Sequence, residues 1–379
     1  MNSRKILITG GAGFIGSSLA LALNARGHKV TVLDNLSPQI HGDNFEESSL
    51  YKKIHGKVNF IRGDVTSRED LSNALSYADT VVHLAAETGT GQSMYSIERY
   101  AAVNVGGTAL LLDLIANEKL PISRLVVASS RAIYGEGKYF CATHGVQYPN
   151  SRSDAAMMDL KFEHSCHQCQ KILEVLPTDE TSFLHPTSVY GVTKLTQEQL
   201  IMSVTKALGI SAISYRYQNV FGPGQSLTNP YTGILSIFSS LIRQGKTINI
   251  FEDGKESRDF VYIDDVVDAT VAGIEFKEPL IDTFNVGSGV ATNVLNVAQL
   301  LKKLLKGDSE IIISGQYRVG DIRHNFADLN KIKNKLSFNP KISFELGLSR
   351  FVDWVRDEKI LGDRYQESLD ELRAKGLFK

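Results

Sequence analysis

Short apolar runs recur along the first 135 positions, and between them lie stretches whose apolar residues return every three or four places. The runs predict strands at Lys5–Thr9, Lys29–Leu33, Val58–Arg62, Thr80–Leu84 and Arg124–Ser129. The intervening pattern predicts helices at Ser17–Arg26, Arg68–Leu75 and Asn104–Asn117. Strands separated by helices imply βαβ units and a parallel sheet. Thr80-Val81-Val82-His83-Leu84 is almost unbroken in its hydrophobicity, as befits a strand covered on both faces. The expected fold class is α/β, a doubly wound parallel sheet of Rossmann type with a smaller mixed α/β C-terminal lobe.

The rhythm stops at Lys138 and resumes after Pro186. The intervening segment is polar, rich in Cys and His, and too long for a plain loop. A helix at Tyr190–Leu208 and a strand at Ala212–Tyr217 then restore the βα pattern. Beyond Gly222 the chain turns mixed, with a helix near Gly233–Gln244 and a strand at Thr247–Phe251. The expected division is residues 1–221 for the first domain, carrying the insertion 138–186, and 222–379 for the lobe. The stretch 258–290 is expected to return to the first domain.

Composition narrows the function. Apolar residues make up 42% and charged residues 22%, with a net charge of −1 and no basic stripe, so nucleic acid is not an expected partner. No apolar run is expected to reach the roughly 18 residues of a membrane span, and the N-terminus lacks a signal-peptide core. These features lead to the expectation of a soluble, cytoplasmic protein without a membrane partner.

The first chemical signal is Thr9-Gly10-Gly11-Ala12-Gly13-Phe14-Ile15-Gly16, between a strand and a helix. Such a turn lets backbone approach a pyrophosphate at a helix N-terminus, where free N–H groups and the helix dipole favour an anion. Asp34 ends the second strand, where a carboxylate accepts both adenosine ribose hydroxyls and repels a 2′-phosphate, so NAD is expected over NADP. Asn35 follows it. Asp64 and Val65 end the third strand, and Leu84, Ala85 and Ala86 the fourth, all on the ligand crevice of a doubly wound sheet.

Tyr190 and Lys194 lie one turn apart at the start of a helix. A nearby ammonium and a positive nicotinamide ring would favour the phenolate and bring a tyrosine pKa toward neutrality. Ser129 and Ser130 end the fifth strand in the same crevice, and the Ser130 hydroxyl can hold the substrate oxygen that Tyr190 deprotonates.

Thr9–Gly16, Ser130–Gly135, Tyr190–Lys194 and Arg216-Tyr217-Gln218-Asn219-Val220-Phe221-Gly222-Pro223 together resemble the extended short-chain dehydrogenase/reductase family, in particular its NAD-dependent nucleotide-sugar epimerases and dehydratases. The resemblance implies Ser130, Tyr190 and Lys194 as catalytic residues. It implies an NAD site made of Gly10, Gly13, Phe14, Ile15, Gly16, Asp34, Asn35, Asp64, Val65, Leu84, Ala85, Ala86, Ser129, Tyr190, Lys194 and Tyr217. Tyr217 would stand at the nicotinamide side, and Asn219, Arg258 and Arg318 would hold the phosphates of a nucleotide sugar; bidentate arginine suits a pyrophosphate. Dehydratases of the family place an acid pair after the serine, where this chain has Arg131 and Ala132. The expected reaction is therefore epimerisation at carbon 4 through a transient 4-ketose, with no net redox change. No role is assigned to Arg131.

The insertion, Pro177-Thr178-Asp179-Glu180 and the Gly222–Gly233 run are similar to those of dTDP-L-rhamnose 4-epimerases, which implies a dTDP-6-deoxyhexose substrate. Alternatives are a UDP-hexose type epimerase, a nucleotide-sugar dehydratase or reductase, and a non-catalytic NAD-binding sensor. Helices near Asn104–Asn117 and Thr193–Leu208 resemble those that pair in family homodimers.

All three cysteines lie in the insertion. Cys141-x-x-His144 and Cys166-x-x-Cys169 are two ligand pairs with 21 residues between them, the spacing of a structural zinc ribbon. His167 is an alternative fourth ligand. So polar a segment is expected to need zinc for its folding energy.

Overall fold

Seven parallel strands form the main sheet, in the order Ile281–Val286, Ser211–Tyr217, Arg124–Ser130, Thr80–His83, Lys5–Thr9, Lys29–Asp34 and Asn59–Arg62. This is a computed structural model, and it describes residues 3–227, 229, 231, 233–358 and 365–379. Thr228, Pro230 and Thr232 of the Gly222–Gly233 run lie outside the described residues. Alternation along each strand decides which helix layer it meets. Ile6 and Ile8 pack with Leu19, Leu23 and Val266, whereas Leu7 packs with Leu71, Leu111 and Leu114. Both faces are thus covered, which is why the strands read as unbroken apolar runs.

Chain order reverses between Lys5–Thr9 and Thr80–His83, and the carboxyl ends flanking that switch open the crevice where ligands bind in such sheets. Of the stretch expected to return, Ser257–Tyr262 stays in the lobe, pairing with Asn219–Phe221, Ala291–Asn293 and His324–Asn325; Asn219–Phe221, expected at the end of the first domain, therefore belongs to the lobe's sheet. The return begins at the helix Ile263–Glu275, which packs on Phe14–Ala25, and ends with the strand Ile281–Val286 at the sheet's edge.

Three expectations need correction. The helix expected at Asn104–Asn117 is interrupted: Ala101–Gly106 form a wide π turn before Gly107–Asn117 continues as α-helix. The cause lies in Asn104, whose side chain takes Glu87 N at 2.7 Å and gives to Glu87 O at 3.1 Å and Thr193 Oγ1 at 3.0 Å. Such bulges often accompany functional sites, and this one ties the end of the fourth strand to the helix Val189–Leu208.

Secondly, Ile97–Asn117 is 21 residues long with mean hydropathy 1.2, enough by length and composition to cross a membrane. In the fold one side of it faces the core, with Leu111, Leu114 and the polar Asn104 and Thr108 buried, while Ala101, Ala102 and Ala109 are exposed.

Thirdly, the insertion is more ordered than its polarity suggests. Gly145–Gln147, Lys138–Cys141 and Glu174–Leu176 form an antiparallel sheet, with Tyr139, Cys141, Cys166 and Leu173 as a small core.

Candidate active site

The glycine turn is shaped by close approach. Gly10 has φ of 68°, and a Cβ there would sit 2.7 Å from Ala85 N; at Gly16 it would sit 2.5 Å from Gly10 O. The helix that follows opens at Phe14 with no side chain capping it, so its first N–H groups face the crevice. Asp34 braces this turn from the second strand: Oδ2 accepts Ala12 N and Oδ1 accepts Leu36 N, both at 2.9 Å. Burial pushes the Asp34 carboxyl up, with those backbone bonds and His41 pulling the other way. Asn35 Nδ2 donates to Asp64 Oδ2 at 2.8 Å. Burial would raise Asp64 too, but the bonds from Thr66 and Asn35 prevail and hold it below its usual value.

Ser130 closes the strand Arg124–Ser130, and its Oγ accepts Ala132 N at 3.1 Å. Tyr190 stands in the first turn of Val189–Leu208, anchored by Tyr190 N donating to Ser93 Oγ at 3.0 Å. Burial raises the Tyr190 phenol, and the groups that draw it back are the Ser130 hydroxyl, hydrogen-bonded to it, and the Arg131 guanidinium. The sequence reading gave that role to Lys194. In the fold, however, Lys194 Nζ donates to Gln197 Oε1 at 3.0 Å, and burial lowers its pKa to about 7. Behind it a buried polar chain runs through Gln197 Nε2 to Thr108 Oγ1 at 2.7 Å, His83 Nε2 at 3.0 Å from the same hydroxyl, and His83 Nδ1 at 2.8 Å from Thr9 Oγ1. Burial holds His83 down to about 3, so it is neutral. Lys194 is thus tied to the strand that precedes the glycine turn.

A cleft of about 560 Å³ gathers every residue of the expected cofactor and substrate sets: Gly10, Gly13, Phe14, Ile15, Gly16, Asp34, Asn35, Asp64, Val65, Leu84, Ala85, Ala86, Ser129, Ser130, Tyr190, Lys194, Tyr217, Asn219, Arg258 and Arg318. Tyr217 Oη is 2.7 Å from Thr270 Oγ1, and its ring stacks on Tyr215 at 5.9 Å. Arg258 does not stand free for a two-pronged phosphate grip. Nη1 donates to Ser257 O and Arg323 O, both at 2.9 Å, and Nη2 to Asp321 Oδ1 at 2.9 Å and Ile322 O at 2.7 Å. By contrast, buried Arg318 Nε, Ser129 Oγ and both amide atoms of Gln218 have no hydrogen-bond partner among the described residues, as befits the walls of a site that binds a polar ligand.

Arg131, left without a role by the sequence, projects into this cleft and donates through Nε to Asn219 Oδ1 at 3.1 Å. Sequence reasoning also missed Asp321, which holds Arg258, and Glu256, whose carboxyl burial pushes up to about 7. It missed the cover over the cleft as well: the helix Tyr365–Ala374 contributes Leu369 and Leu372, and its Glu371 takes Tyr95 Oη and Tyr231 Oη at 2.7 Å each. No local pattern marks these residues, because they are joined only across the fold. Away from the cleft, Cys141, His144, Cys166 and Cys169 converge with their donor atoms within 4.8 Å of one another, while His167 is exposed and outside the group.

Comparison with known proteins agrees with this geometry. The family model described as NAD dependent epimerase/dehydratase matches residues 6–287. The dTDP-L-rhamnose 4-epimerase of Burkholderia thailandensis is 39% identical over 362 residues, spanning 94% of this chain and 96% of its own. The solved UDP-glucose 4-epimerase of Thermotoga maritima, with UDP-glucose, has a TM-score of 0.74 and 30% identity over 93% of this chain and 98% of its own. The UDP-glucuronic acid 4-epimerase of Bacillus cereus, in complex with UDP-glucuronic acid and NAD, gives 0.73 and 26% over 93% and 98%.

Proposed function

The chain belongs to the NAD-dependent epimerase/dehydratase family, and from that premise we propose that it is a nucleotide-sugar 4-epimerase acting on a dTDP-6-deoxyhexose such as dTDP-L-rhamnose. The observation that carries the reaction is the set Ser130, Tyr190 and Lys194 in one cleft with the glycine turn, beside Arg131 and Ala132 where a dehydratase needs its acid pair.

The residues divide the work. Tyr190 Oη takes the proton of the sugar's 4-hydroxyl as carbon 4 is oxidised, and gives it back when the ketone is reduced. The Ser130 hydroxyl orients that oxygen. When bound, NAD⁺ would supply the redox capacity as a reversible hydride acceptor for carbon 4. The glycine turn would hold its pyrophosphate, Asp34 its adenosine ribose and Lys194 its nicotinamide ribose. Arg318 and Arg131 present guanidinium groups to the substrate pyrophosphate, with Asn219 beside them and Arg258 held behind by Asp321. A sugar gripped only through its pyrophosphate can turn about that link between the two half-reactions.

A UDP-sugar substrate is the second reading, favoured by the UDP-sugar epimerases among the solved relatives. Incubating the purified protein with dTDP-L-rhamnose, UDP-glucose, UDP-glucuronic acid and their 4-epimers, read by NMR, decides between them. Conversion of dTDP-L-rhamnose is the expected result. A stable keto-sugar product would instead make the enzyme a dehydratase.

The same reading includes cytoplasmic polysaccharide biosynthesis and a structural zinc in the insertion. It also includes a homodimer through the outward faces of Gly107–Asn117 and Val189–Leu208, which expose Ala109 and Val192. A monomeric mass in light scattering at micromolar concentration would count against the dimer.

A further inference from the structure

Within the insertion, Cys141 Sγ lies 3.6 Å from both Cys169 Sγ and His144 Nδ1, and Cys166 Sγ lies 3.4 Å from His144 Nδ1. A tetrahedral zinc ion with ordinary Zn–S and Zn–N bonds sets S···S edges of about 3.8 Å and S···N edges of about 3.6 Å. These three edges match such a tetrahedron to within a few tenths of an ångström, and all four donor atoms lie within 4.8 Å of one another. A disulfide, at roughly 2.05 Å between sulfurs, is not what this spacing describes.

The backbone repeats one design twice. Cys141 Sγ accepts the N–H groups of Thr143 and His144, and Cys166 Sγ those of Gln168 and Cys169, the second and third residues onward in each case. The residue after each second ligand is left-handed, Gly145 at φ 74° and Gln170 at φ 60°. Only glycine adopts that conformation without cost, so Gln170 is held there by its surroundings. Two matched knuckles, each at the tip of a hairpin (Lys138–Cys141 with Gly145–Gln147, and the Ser165–Ile172 bridge), point their donors at one centre.

What the second knuckle is attached to gives the centre a task. Its hairpin is closed by Cys166 N donating to Lys171 O at 2.8 Å and Leu173 N to His164 O at 2.9 Å. Directly before it, the Glu163 carboxylate takes Arg323 Nε at 2.9 Å and lies 3.2 Å from His324 Nε2. Arg152, from the same insertion, donates to Asp321 O at 2.9 Å and Glu252 Oε2 at 2.6 Å. Asp321 in turn holds Arg258 at the phosphate end of the cleft.

We propose that Cys141, His144, Cys166 and Cys169 bind one Zn²⁺ whose work is to fix the insertion as a clamp on residues 318–324, the wall of the cleft that faces the substrate pyrophosphate. Four protein ligands close the ion's coordination, so it is structural. On binding, the cysteine thiols release their protons to solvent, and the ion joins two hairpins whose ligands Cys141 and Cys166 stand 25 positions apart. The clamp rests on the reading of the cleft as a nucleotide-sugar site; the metal does not.

Elemental analysis of the full chain, purified without chelators or a metal-binding tag, should find one zinc per polypeptide. Cobalt-substituted protein should show the visible bands of tetrahedral thiolate coordination. Cys169→Ser should lose the metal, whereas His144→Cys should keep it in a four-thiolate site. Calorimetry with dTDP and UDP should then show several-fold weaker nucleotide binding in Cys169→Ser and normal binding in His144→Cys, with NAD content alike in both. Folded wild-type protein that carries no metal and whose three thiols all react freely would overturn the site. Loss of zinc with nucleotide affinity unchanged would overturn the clamp. If neither nucleotide binds even the zinc-loaded wild type, the clamp falls together with the nucleotide-sugar reading, and the metal count stands by itself.

Discussion

Arg131 Nε donates to Asn219 Oδ1 at 3.1 Å, and this bond holds a guanidinium in the cleft where its charge acts on the Tyr190 phenol. Asn219 begins the strand Asn219–Phe221 of the lobe, while Arg131 follows the fifth strand of the main sheet. The bond therefore spans the two parts of the molecule that enclose the site.

A prediction on pH follows. A positive neighbour lowers a phenol's pKa, so Arg131→Ala should raise that of Tyr190. Turnover that needs the phenolate rises with pH through this pKa, so the acid limb of kcat/KM should move to higher pH in the variant. Asn219→Ala, which frees the guanidinium, should move it less. A pH–rate profile superposing on the wild type's would show that Arg131 serves only the substrate.

Tyr190→Phe should leave NAD content and thermal stability nearly unchanged and lower turnover by roughly 10²–10⁴-fold. Lys194→Ala should fail similarly and also retain less NAD, which absorbance of the extracted cofactor can quantify. Wild-type turnover in Tyr190→Phe would remove the phenol from the mechanism.

Asp34 is expected to select NAD. Because its two oxygens also brace Ala12 N and Leu36 N, Asp34→Ala should weaken NAD binding as well as narrow the preference over NADP. Fluorescence titration with both cofactors reads this directly. Tighter binding of NADP than of NAD by the unmodified protein would contradict the placement.

Arg323 is fully buried and pairs with Glu163, with Glu252 Oε2 at 2.9 Å and with Asp253 Oδ1 at 2.7 Å. Removing one partner of a buried ionic cluster typically costs about 3–5 kcal/mol. Glu163 and Asp253 keep roughly a third of their surface in water, so Arg323→Met should cost near the lower end of that range. Urea unfolding that shifts by less than about 1 kcal/mol would show the cluster to be screened.

What the sequence determined by itself is what short-range geometry dictates. A strand, a glycine turn and a helix are written in consecutive residues, so the glycine turn Gly10–Gly16 could be read directly. The Tyr190–Lys194 spacing is one helical turn, and Cys-x-x-His and Cys-x-x-Cys are each one knuckle, so these too were legible. What they meet was not. Only the tertiary structure joined Gln197, behind Lys194, to Thr108 and His83, gave Arg131 to Tyr190 and Asn219, and committed Arg258 to Asp321. Arg131 and Asn219 are 88 positions apart, and Arg258 and Asp321 63. At such separations no periodicity survives, because the pairing is set by how strands and lobes pack and not by the turn of a single element. The π turn at Ala101–Gly106 has the same origin: Asn104 finds Glu87 and Thr193 on other elements, and their pull decides the local backbone.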